Sequence, residues 1–89
     1  MAGWVGSQSY EGAIRVELYA SGIIEGLPSG AVVDSHRREV YIPSGRIKQV
    51  LGGIQFHING EPWAWRYDSI KRILDKDRNP LWVNSLEDH

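Results

Sequence analysis

The stretch Ile54-Gln-Phe-His-Ile58, Asn59-Gly60, Glu61-Pro-Trp-Ala-Trp-Arg-Tyr67 constrains the fold more than any other part of the chain. Asn-Gly supplies two residues that tolerate positive φ, which a type I′ hairpin turn requires. The turn dictates the register: Ile58 faces Glu61, Phe56 faces Trp63, and Ile54 faces Trp65. That register gathers Ile54, Phe56, Ile58, Trp63, Trp65 and Tyr67 on one side of the ribbon. Gln55, His57, Pro62, Ala64 and Arg66 fall on the other. Pro62 pairs with His57 at a non-hydrogen-bonded position, so its missing N–H points away from the partner strand. This predicts an edge strand near Pro62.

The remaining elements follow from similar patterns. Ala13-Ile-Arg-Val-Glu-Leu-Tyr-Ala20 alternates apolar and polar residues, the period of a half-buried strand. Ile23-Ile24-Glu25 suits a short return strand, and Leu81-Trp82-Val83 a last one. Pro28-Ser29-Gly30 and its repeat Pro43-Ser44-Gly45 both read as turns. Between them, Ala31–Asp34 and Glu39–Ile42 flank Ser35-His-Arg-Arg38 as a hairpin with a four-residue loop. Ile47-Lys-Gln-Val-Leu51 and Ile70-Lys-Arg-Ile-Leu74 space their apolar residues i, i+3, i+4, which predicts two short helices with Ser44 and Asp68 as N-caps.

The expected fold is therefore α+β and mainly antiparallel: about five or six short strands with two short helices. A shift of 23 residues superposes Ala31–Leu51 on Ile54–Leu74, which suggests a tandem hairpin–helix repeat. The alternative is a five-stranded SH3-like small β-barrel, with Tyr41-Ile42-Pro43-Ser44 leading into a 3₁₀ turn. Tyr-Ile-Pro-Ser resembles the end of an SH3 domain. Arg46, however, stands where an aromatic residue is expected and no Trp pair precedes it, so the chain is not assigned to that family. Residues 1–89 are read as a single domain, with 1–12 a flexible arm or edge strand and 84–89 a frayed tail.

Ten basic against eleven acidic side chains exclude binding by bulk charge. There are no cysteines, so disulfides and thiolate metal sites are excluded, and a reducing, cytoplasmic setting is expected. No apolar run is long enough for a membrane span. The three histidines, His36, His57 and His89, show no metal-ligand spacing, and no motif calls for a cofactor. Asp34-Ser35-His36 has the letters of a catalytic triad but lies contiguously in a turn, where a base cannot sit between acid and nucleophile.

Charge distribution is more informative than net charge. Residues 36–72 carry seven Lys and Arg side chains against three acids, and include Tyr41, Trp63, Trp65 and Tyr67. Cations beside aromatics suit phosphate and bases. The expectation is a non-enzymatic binding module for an anionic ligand, either a nucleotide-like small molecule or a short nucleic acid. Arg37, Arg38, Arg46, Lys48, His57 and Arg66 are the expected contacts, the arginines offering forked donors to phosphate. The competing reading is a protein-binding adaptor or inhibitor of the small accessory kind found in phages, acting through exposed tryptophans. An enzyme with a site between protomers is the third class. A homo-oligomer is expected, joined at the edge near Pro62 or at the arm around Trp4.

Overall fold

The alternation of apolar and polar side chains carries most of the chain into antiparallel strands. The computed structural model describes residues 3–4 and 9–84; of the arm and tail, residues 1, 2, 5–8 and 85–89 lie outside the described set. The elements are β1 (Gly3–Trp4), β2 (Ser9–Leu18), β3 (Val32–Asp34), β4 (Glu39–Val50), β5 (Gly53–Ile58), β6 (Glu61–Arg66), a 3₁₀ turn (Tyr67–Ser69), β7 (Ile70–Leu74) and β8 (Pro80–Val83). They form one open sheet in the order β1-β8-β7-β2-β4-β5-β6, with β3 lying against β4.

The Asn59-Gly60 hairpin has the predicted register, Phe56 opposite Trp63 and His57 opposite Pro62. Asn59 and Gly60 take φ of 52° and 84°, as a type I′ turn demands. β6 ends the sheet, the edge position that Pro62 implies. The first hairpin also forms, with Asp34 opposite Glu39 across a loop closed by Arg38 at φ 52°.

The two expected helices are absent. Ile47–Val50 continues β4, and Leu51-Gly52 is a tight turn with Gly52 at φ 79°. Its apolar spacing arises because Leu51 leaves the strand for the turn, where it is fully exposed. Ile70–Leu74 is β7, whose pairings with β2 and β8 both shift register. Between Ile70 and Arg72, Lys71 has no partner on β2, so Ile70 and Ile73 both face the core while three residues apart. A bulged strand thus copies a helical spacing, and the hairpin–helix repeat falls with the helices. The 3₁₀ turn forms between β6 and β7, not after Pro43.

Two further expectations change. Pro28-Ser29-Gly30 is a turn, with Ala31 N–H donating to the Pro28 carbonyl at 3.4 Å. Pro43-Ser44-Gly45 instead lies inside β4, where Pro43 and Ser44 together oppose Ala13 of β2. Proline cannot donate to the ladder, and the bulge accommodates it. Ile23–Glu25 is loop, not strand.

The core is built from the inward residues of six strands, among them Ile14, Val16, Val40, Ile42, Ile54, Phe56, Ile73 and Trp82. Each aliphatic side chain buried this way contributes roughly 1.5–3 kcal/mol. Trp65 makes edge contacts with both Phe56 (centroids 5.1 Å apart) and Trp63 (6.0 Å), and Tyr67 stacks on Trp82 at 5.7 Å. Pairs of this kind add roughly 0.5–1.5 kcal/mol beyond burial. Asn84, placed in the tail by sequence, is buried; its amide donates to the Tyr67 and Ile70 carbonyls at 3.1 and 2.9 Å.

Candidate functional site

Because strands alternate their side chains, the sheet register assembles the outward face row by row. One row reads Glu11, Arg46, His57, Pro62 across β2, β4, β5 and β6. The next reads Lys48, Gln55, Ala64 across β4, β5 and β6, and a third holds Val50, Gly53 and Arg66. Ile47, Ile54, Phe56 and Trp65, at the intervening positions, are buried. Four of the six expected contacts, Arg46, Lys48, His57 and Arg66, therefore share one polar face.

Arg46, His57 and Glu11 form a ridge between two depressions. The larger, about 590 Å³, is lined by Tyr10, Lys48 and the ridge residues. The other, about 470 Å³, brings together Gly30 of the first Pro-Ser-Gly, the whole of the second, and Asn59-Gly60. The Asn59 amide donates to Ser29 Oγ at 3.3 Å, tying the first Pro-Ser-Gly turn to the hairpin. The repeated tripeptide thus converges in space, although only its first copy turns the chain.

Other basic side chains are committed inside the fold. Arg15 pairs with Glu39 at 2.6 Å and stands 4.9 Å from the centre of the Tyr41 ring. Arg72 pairs with Glu17 at 2.7 Å. The Arg38 guanidinium donates to three carbonyl oxygens, those of Tyr19, Ala20 and Gly22, and so pins the loop after β2. Arg37 sits beside Asp34 at 3.9 Å in a separate hollow of about 270 Å³. Arg37 and Arg38 precede β4, Arg37 in a hollow that shares no residue with the other two and Arg38 bound to the loop after β2. They do not join the cluster.

Arg46, by contrast, has among the described residues only Glu11, 4.0 Å away, and both side chains are more than half exposed. A pair so open to water contributes about 0–1 kcal/mol and leaves the guanidinium available. Lys48 and Arg66 are exposed and make no side-chain hydrogen bond or ion pair among the described residues.

Sequence reasoning did not place Tyr10, Glu11, Ser44 and Asn59 at this site. Glu11 and Tyr10 reach it through the pairing of β2 with β4, across a bulge that leaves no local signature. At the Asp34-Ser35-His36 turn, Asp34 accepts the Arg37 backbone N–H at 3.1 Å, while Ser35 and His36 are exposed. Among the described residues no group of three or more His, Asp or Glu could hold a metal ion, and no helix is long and apolar enough to cross a membrane.

The site and sheet define the chain as a small antiparallel β-protein with one cationic, cavity-bearing face. Comparison with protein-family models, curated proteins and solved structures found no match to it.

Proposed function

We propose that this protein is a non-enzymatic module that binds an anionic ligand, nucleotide-like or a short nucleic acid, on the face carrying Arg46, Lys48 and His57. One observation supports the reading: these three side chains adjoin two cavities and are not consumed by close ion pairs or by backbone carbonyls, whereas Arg15 and Arg72 are held by carboxylates and Arg38 by carbonyl oxygens. Arginine matches phosphate with a forked pair of donors, and His57 adds a further donor beside it. The alternative adaptor reading rests on exposed tryptophans. Trp65 and Trp82 are buried and Trp63 is half-buried, so it has less support.

Titration calorimetry with pyrophosphate and with adenosine monophosphate tests the proposal. Binding should weaken with rising salt and be lost in the Arg46→Gln, Lys48→Gln double variant. Affinity indifferent to both would overturn it. Native mass spectrometry of freshly purified protein reports any retained ligand together with the assembly state expected of an open-edged sheet.

A further inference from the structure

Arg66 lies outside both cavities yet on the same outward face, and its position carries information about the size of the ligand. Lys48 follows Arg46 by two residues along β4, about 7 Å. From Lys48, Arg66 is two strands across and two residues further along, about 12 Å away. One phosphate can touch Arg46 and Lys48 together, but a ligand must be extended to engage Arg66 as well. The surface between them suits such a ligand. Its floor is Gln55 and Ala64, an amide and a methyl group, and no bulky ring stands between them.

We propose that the ligand is a single-stranded nucleic acid laid obliquely across β4, β5 and β6 from Arg46 to Arg66. The proposal rests on the anionic-ligand reading above. Recognition is of the phosphate backbone: Arg46, Lys48 and Arg66 each neutralise a phosphate, and Gln55 and His57 offer hydrogen bonds along the way. The floor has no stack of aromatic platforms, so binding is tolerant of base sequence. Tyr10 pairs with Ile47 and packs on the core, so its ring offers the strand no platform on this face.

The experiment is fluorescence anisotropy with labelled oligothymidylates from a dinucleotide to roughly a dozen nucleotides. Affinity should rise with length and level off once the strand spans the track. For the longer strands, log affinity against log salt should have a slope of about −2, as expected for three phosphate contacts to a single strand. Arg66→Gln, at an exposed position, should cut long-strand affinity severalfold and make the slope shallower by about 0.7, leaving the dinucleotide unaffected. Length-independent binding, or an Arg66→Gln variant identical to wild type on long strands, overturns the track while leaving a compact anion site intact. Tighter binding of duplex, or equal competition by poly-glutamate, also overturns it. If Arg46→Gln changes nothing on any strand, the underlying anionic-ligand reading fails too.

Discussion

The guanidinium of Arg38 donates to the carbonyl oxygen of Gly22, sixteen residues earlier, and to those of Tyr19 and Ala20. Its own carbonyl accepts the Leu18 N–H at 2.9 Å. A residue that reads in sequence as a surface cation is the clasp holding the loop after β2 to the first hairpin. Arg38→Ala should lower stability by about 1–3 kcal/mol in urea denaturation, since hydrogen bonds to a charged group are lost and several carbonyls are left unpaired. Arg38→Lys should recover little, because an ammonium cannot span three acceptors in a planar fork. Anion binding by the folded fraction should not change.

Trp63 and Trp65 share a strand and a ring contact but differ at the indole nitrogen. Trp65 Nε1–H donates to the Ile23 carbonyl at 2.9 Å, whereas Trp63 Nε1 is buried without a partner among the described residues. Trp65→Phe should cost about 1–3 kcal/mol and speed hydrogen exchange in the loop containing Ile23. Trp63→Phe removes an unpaired donor and should fall within about 1 kcal/mol of wild type. Equal losses for the two variants would contradict this account.

Two ion pairs of the first hairpin region make a second contrast. Arg15–Glu39 is short and Glu39 is mostly covered, whereas Arg37–Asp34 spans 3.9 Å with both side chains largely in water. Glu39→Gln should destabilise by about 1–2 kcal/mol, with little dependence on salt. Asp34→Asn should be close to neutral, because the amide oxygen can still accept the Arg37 N–H.

Gly53 faces the backbone of β6, and a Cβ there would run into the Trp65 carbonyl oxygen. Backbone cannot swing aside as a flexible side chain can. Gly53→Ala should cost roughly 1–3 kcal/mol through strain at the β5–β6 pairing. Thermal denaturation reads the loss.

Local chemistry alone determined much of this protein. The Asn59-Gly60 turn requires positive φ at both residues and a two-residue reversal fixes register, so the facing of Phe56 with Trp63 and the outward placing of His57 and Arg66 were legible. Ile14, Val16 and Leu18 were legible as core for the same reason, strict alternation. Tertiary structure decided what depends on bulges and distant pairing. A single extra residue at Lys71 shifts the apolar period from two to three, and nothing local distinguishes that from a helix. The union of Glu11 and Tyr10 with Arg46 depends on β2 meeting β4 more than thirty residues later. Which arginines are committed to carboxylates or carbonyls was likewise decided in three dimensions. Arg38 and Arg46 are alike as letters, and only the folded chain brings carbonyls to one while leaving the other facing water.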